Sequence, residues 1–391
     1  MVDDFVRERG YLTLGSRLKR LGERLQAEVQ ELGLEDLLTS HVLAVEWPEK
    51  ILGWPLTDRL LVELSGSGST RQAVITASGG WVQALSRNQA IGDFLNDAGW
   101  GNATRRYLEG DASFRRYETL TRNGEVSILM DMPARPDGPP VRDGKPYSAI
   151  AHLAEDIRAV AAINGELVAR GYSAPRIAAA DLDHGLAVME DLGRNVYGRM
   201  MLAGEDMTEP MRTATAVLAD MARHPWPDSV SIPGGSYTIP RYDVGAQMIE
   251  VELLSHWFWP HLYDKAIAAD LRTEFEALWG ELLPLTQQGD RVWALRDYHS
   301  PNLLWLPERQ GLKRVGIIDT QDCLLGHPAY DLASMLQDAR VDIPFATADG
   351  LYDYYCGLRG TGFDAAEFGI AYAILGAQRA TKILGIFARL S

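Results

Sequence analysis

Late in the chain, Leu295-Arg-Asp-Tyr-His-Ser-Pro-Asn302 runs into apolar Leu303-Leu-Trp-Leu306. A polar turn later comes Val315-Gly-Ile-Ile-Asp319. Asn302 follows Asp297 by 5 residues, and Asp319 follows Asn302 by 17. These residue types fit phosphoryl transfer, in which a protein mostly positions groups and neutralises charge. One carboxylate must face the attacking hydroxyl and take its proton, and Asp297, in a tight loop after a strand, fits that role. A carboxylate and an amide oxygen must hold Mg2+, which wants hard oxygen ligands. Asn302 and Asp319 fit that role. Asp and Asn also form ordinary turns between strands, so the spacing gains its weight from what surrounds it.

The surroundings read as a small sheet-rich segment followed by a larger helical one. Over 84–192 a helix is expected at about 86–98, with strands near 104–108, 114–121 and 125–131. The last two are joined by Arg122-Asn-Gly-Glu125, a strong hairpin signal. A Pro- and Gly-rich loop covers 132–147. One helix is expected over 148–170, ending at Gly171, and then two strands flank Asp183-His-Gly185. Residues 193–391 read as mainly helical, with patterns at about 206–223, 240–256, 268–286, 328–339, 347–357 and 365–388. Only the block at 291–319 alternates strand, loop and strand. Between two of the small-lobe strands, Gly110, Asp111, Ala112, Ser113 and Phe114 form a turn of one glycine and small residues. Its N–H groups are expected over nucleotide phosphates, with Arg116 beside it.

Taken together, these words resemble the aminoglycoside phosphotransferase family and its H-x-D-x-x-x-x-N catalytic loop. The stretches Ile318-Asp-Thr-Gln-Asp322, Gly326-His-Pro-Ala-Tyr-Asp331 and Asp111-Ala-Ser-Phe-Arg-Arg-Tyr117 are similar to one branch in particular. That branch phosphorylates the anomeric position of N-acetylmuramate and N-acetylglucosamine in bacterial cell-wall recycling. The resemblance implies an α+β, protein-kinase-like two-lobed fold with a small sheet lobe and a large helical lobe. It implies ATP and Mg2+ as cofactors, Asp297 as base, and Asn302 and Asp319 as metal ligands. Val188-Met-Glu-Asp-Leu192 resembles the hinge whose backbone meets adenine, at Glu190 and Leu192. Asp331 would be structural. The helix at 248–259 offers Glu252 and Trp257 for the sugar, the alternative being core aromatics and a buried carboxylate. His299 is either a substrate contact or an exposed loop residue.

Two positions depart from the family pattern. Leu295 stands where His is common, a packing position. No lysine occurs in 104–131, although a strand lysine there usually holds the α- and β-phosphates. Arg115 or Arg116 could supply that charge, or both could belong to a solvated strand face.

Residues 28–77 carry a second resemblance, to the C-terminal third of the ATPase subunit of bacterial tRNA threonylcarbamoyladenosine synthesis. It rests on Val42-Leu-Ala-Val-Glu-Trp-Pro-Glu49 and Asp58-Arg-Leu-Leu-Val-Glu-Leu64. No G-x-x-x-x-G-K-[ST] accompanies it, so residues 1–83 are expected to be a partial α/β remnant without nucleotide binding. The partners this resemblance implies, through residues 28–77, are those of tRNA modification.

Composition limits the function classes. Lys+Arg 38 against Asp+Glu 53 gives a net charge of −15, against a nucleic-acid or anionic membrane surface. Cys323 and Cys356 have no metal-site spacing, and Met1–Gly10 has no signal-peptide core, so a reducing cytoplasm is expected. The resulting expectation is a small-molecule kinase with an alcohol acceptor, built as 1–83, an 84–192 small lobe and a 193–391 large lobe. The alternatives are an aminoglycoside-resistance kinase and a non-catalytic kinase-like accessory of tRNA modification.

Overall fold

The computed structural model describes residues 57–67, 70–108, 115–136 and 138–391. The turn expected at 110–114 and the part of the N-terminal resemblance over 28–56 lie outside the described residues. The chain divides into two compact units between Gln89 and Ala90. In the first, β1 (Arg59–Ser65) and β2 (Gln72–Ser78) pair antiparallel, Arg59 opposite Ser78. The helix α1 (Gly80–Asp97) runs across the division.

The second unit opens with a five-stranded antiparallel sheet. Its members are β3 (Thr104–Leu108), β4 (Arg116–Arg122), β5 (Glu125–Asp131), β8 (Ile177–Asp181) and β9 (Leu186–Glu190), in the order β3-β4-β5-β9-β8. Asn123 and Gly124, both at positive φ, turn β4 into β5. Side chains of a strand alternate between faces, and here both faces are buried. Leu120, Leu129, Leu186 and Val188 meet Ile91, Phe94 and Leu95 of α1. Ile128, Met130, Ala187 and Met189 meet Ile157 and Val160 on the opposite face.

Between β5 and β8 the chain departs from the single helix expected at 148–170. A short hairpin, β6 (Pro140–Arg142) with β7 (Lys145–Pro146), is followed by α2 (Tyr147–Ala151). His152 then takes φ 54 and ends that helix. Asp156 caps a new one, α3 (Ile157–Ala169), accepting the Arg158 N–H at 2.8 Å. The apolar spacing runs across both helices, which hides the break.

The larger lobe continues with α4 (Tyr197–Leu202), α5 (Thr208–Met221) and a hairpin of β10 (Ser229–Ile232) and β11 (Gly235–Thr238) that was not expected. Next come α6 (Val244–Leu253), a π-turn at Leu254–Phe258, α7 (Trp259–Tyr263) and α8 (Ala269–Leu282). Short strands β12 (Val292–Ala294), β13 (Leu303–Trp305), β14 (Val315–Ile317) and β15 (Leu324–Gly326) pair as β12 with β15 and β13 with β14. The chain closes with α9 (Ala329–Leu336), α10 (Phe345–Arg359) and α11 (Ala365–Leu390). A large core holds Trp293, Leu295, Tyr298, Leu303 and Ile317 from the short strands and their loop, against Val217, Leu332 and Leu375 from the helices. That packing gives the polar loop between β12 and β13 a rigid floor.

Candidate active site

The loop from β12 to β13 is gripped by its backbone. Asp331, in the first turn of α9, accepts the Leu295 N–H at 2.6 Å and the Arg296 N–H at 2.9 Å. Ser334 donates to the Arg296 carbonyl at 3.3 Å. Asp338 accepts the Ser300 N–H at 2.8 Å. Arg296 sits at φ 70, a left-handed conformation costly for a long side chain and held only where surroundings over-determine it. The structural role expected for Asp331 is this clamp.

Asp297 follows the strained residue and keeps 36% of its side chain exposed. Burial of the rest would raise its pKa, but the His299 hydrogen bond and the charges of His299, Lys382 and Arg296 outweigh that and hold it below the usual carboxylate range. His299 Nε2 lies 3.5 Å from Asp297 Oδ1 and 3.4 Å from an Arg340 nitrogen. The imidazole is 4% exposed. The structure therefore sets His299 against the Asp297 carboxylate, not on an open loop surface.

Asn302 and Asp319 meet because β13 and β14 pair, Leu303 opposite Ile317. The Asn302 amide nitrogen donates to the Asp297 carbonyl at 3.2 Å and faces Asp319 Oδ2 at 3.5 Å, which leaves the amide oxygen as an acceptor. Asp319 takes φ 61 as the chain leaves β14. Its Oδ1 is met by Arg115 at 2.6 Å and by Gln321 at 3.1 Å. Burial, then Asp297 and Asp322, push the Asp319 pKa up against the pull of Arg115. Asp322 accepts the Ala154 N–H at 2.7 Å, fixing the α2–α3 break beside the site. The result is a group of oxygen donors in which Arg115 is the guanidinium in direct contact with Asp319.

The other expected residues are placed differently. Of the two candidate arginines, Arg115 reaches Asp319. Arg116 is an exposed β4 residue paired in register with Asp131. The Glu190 side chain takes an Arg309 ion pair at 2.5 Å, Arg309 also donates to Ser173 at 2.8 Å, and the Glu190 backbone N–H donates to the Arg176 carbonyl at 2.8 Å. Leu192 packs on Leu304 and Leu306. Glu252 is 4% exposed and ion-paired with Arg142 of the β6–β7 hairpin. Trp257 lies in the π-turn, 45% exposed. The α6 carboxylate that faces the catalytic loop is Glu250, which the sequence reading passed over. Its partners, Arg296 and Lys382, come from segments far away in sequence, and no local pattern joins them.

The sequence matches the Phosphotransferase enzyme family over residues 104–368, a span that holds Asp297, Asn302 and Asp319. The chain belongs to this family. The N-acetylmuramate/N-acetylglucosamine kinase of Caulobacter vibrioides is 37% identical to it over 313 residues, 78% of this chain and 86% of that protein. The enzyme of the same name from Pseudomonas putida is 28% identical over 311 residues, 78% of this chain and 82% of that protein. Among solved structures, a choline/ethanolamine kinase family protein from Mesorhizobium loti is similar at a TM-score of 0.47 and 14% identity, over 78% of this chain and 87% of that one. This phosphotransferase is a small-molecule kinase of protein-kinase-like fold with a hydroxyl acceptor, and its family implies ATP as phosphate donor. Among the described residues, no helix is long and apolar enough to cross a membrane.

Proposed function

We propose that this phosphotransferase moves the γ-phosphoryl group of ATP to the anomeric hydroxyl of an N-acetylated amino sugar in the cytoplasm. The observation that carries the chemistry is the clamped loop. It presents an ionised, partly exposed Asp297 near Asn302 and Asp319, whose side chains meet. The acceptor class is supported by the curated relatives, named as kinases of N-acetylmuramate and N-acetylglucosamine.

In this reading, Asp297 accepts the hydroxyl proton while the sugar oxygen forms its bond to the γ-phosphorus. The bond from that phosphorus to the β,γ-bridging oxygen breaks, and ADP leaves with the electron pair. The donor set suits Mg2+, which takes few protein ligands and completes its shell with water and phosphate oxygens. Asn302 and Asp319 would hold it, where its charge offsets that of the phosphates. Arg115 stands in for the missing strand lysine.

The test is phosphate transfer from ATP with Mg2+ to a panel of N-acetylmuramate, N-acetylglucosamine and kanamycin. Turnover of an N-acetylated sugar, with the product labile to acid as a glycosyl phosphate, is expected. Turnover of kanamycin alone would replace the acceptor assignment.

A further inference from the structure

Behind Asp297 lies a buried group of charges that the mechanism above does not use. Glu250 on α6 is fully buried, and Arg296 is 2% exposed. Arg296 ion-pairs with Glu250 Oε1, and Lys382 of α11 reaches the same oxygen at 2.8 Å. Tyr242 and Gln378 donate to Glu250 Oε2, Gln378 at 2.9 Å. Lys382 also donates to Tyr330 at 3.4 Å, next to the Asp331 that clamps the loop backbone. Among the described residues, Arg296 Nε and Nη1 have no hydrogen-bond partner. The guanidinium is therefore held by charge more than by directed bonds.

Charge counting gives these residues a consequence. Arg296 and Lys382 carry two positive charges, and Glu250 carries one negative. Buried charges are tolerated when paired in this way. The uncompensated charge is positive, and it lies directly behind the loop residue that precedes Asp297 in the chain. Burial would lower the Lys382 pKa, but the Glu250 charge outweighs it and holds the ammonium above its ordinary value. Burial would raise Glu250, and Lys382 and then Arg296 bring it down to about 2. Both groups stay ionised across the physiological range.

We propose that Lys382, near the end of the C-terminal helix, is a positioning residue for Asp297. Its ammonium shares Glu250 with Arg296, so that Arg296 keeps the loop turned at its left-handed residue. Arg296, so held, sets the Asp297 that follows it in the chain toward the acceptor hydroxyl. The seat of α11 serves this arrangement. A Cβ on Gly385 would lie 2.4 Å from the Leu253 carbonyl carbon, so only glycine allows the helix this close to α6 and the π-turn. Lys382 stands one turn before that contact. This inference rests on the assignment of Asp297 as base.

The experiment compares wild type, K382M and K382R in steady state. K382M is expected to lower kcat on the order of 10²-fold, the scale of removing one preorganised electrostatic group, with KM for ATP little changed. K382R, which keeps the charge, is expected to recover most of the loss. A purely structural lysine would lower Tm and the active fraction but leave kcat per folded molecule alone. Folded K382M with wild-type kcat would overturn the proposal. Should K382M not fold, K382R decides: folded but as inactive as D297N, it overturns the proposal, and active, it upholds it. Slow ATP hydrolysis, with water in place of the sugar, gives the same comparison without any acceptor. Failure of wild type on every amino sugar would therefore count against the acceptor assignment and not against Lys382.

Discussion

Arg115 sits just before β4 and reaches across to Asp319 at 2.6 Å, putting a guanidinium where donor phosphates and magnesium would crowd negative charge. Replacing it should weaken nucleotide binding more than chemistry. R115M is expected to raise KM for ATP roughly tenfold, about 1.4 kcal/mol, whereas R116M should leave it unchanged. Equal effects at both positions would return Arg115 to the status of a strand-face residue. At this scale the sequence was most legible where chemistry is local. Asp297, Asn302 and Asp319 carry fixed spacings because two short strands and one loop hold them. Lys382 and Glu250 were invisible because their partnership spans 132 residues and passes through packing of α11 on α6. The burial of His299 and its approach to Asp297 have no sequence signature, so its exposed alternative could not be set aside from sequence.

The elements carry a second layer of control, clearest at the start of α9. His327 lies just before that helix, and its Nδ1 accepts the Ala329 N–H at 3.1 Å. Only the neutral ring can do so, and burial, helped by Arg291 and Arg359, lowers the pKa to about 4 from an ordinary 6.5. A depressed histidine contributes stability that is complete above the unfolded value. It is lost as pH falls from about 6.5 through 4, because the unfolded chain binds the proton first. The loss should approach about 3 kcal/mol. Urea midpoints at pH 7 and pH 4.5 check it: H327N, which keeps an acceptor but cannot titrate, is expected to show a smaller acid-side drop than wild type. An identical drop in both would remove His327 from the account. Among the elements themselves, the small-lobe strands were readable from their period and the Asn123–Gly124 turn. The helix break at His152 was not, since apolar spacing continues through it and the stop comes from one left-handed residue and a cap at Asp156. The β10–β11 hairpin was missed because four-residue strands leave too few alternations to see.

On the scale of the whole molecule, a net charge of −15 coexists with a site that gathers Arg115, Arg296 and Lys382 around its carboxylates. Global charge argues against polyanionic partners, but it does not describe a local phosphate site. The span matching the phosphotransferase family, 104–368, lies within the second compact unit. The fold serves the site by setting Glu250 of α6, Asp331 of α9 and Lys382 of α11 behind the β12–β13 loop, and Arg115 on Asp319, so that the loop presents one carboxylate. The central claim is that this carboxylate, Asp297, accepts the proton in phosphoryl transfer. Its most direct test is D297N, measured for ATP binding by calorimetry and for turnover with the sugar that wild type accepts. The account predicts ATP affinity near that of wild type and kcat reduced by 10³-fold or so, within the range of a lost general base. Turnover at the wild-type rate in D297N would contradict it.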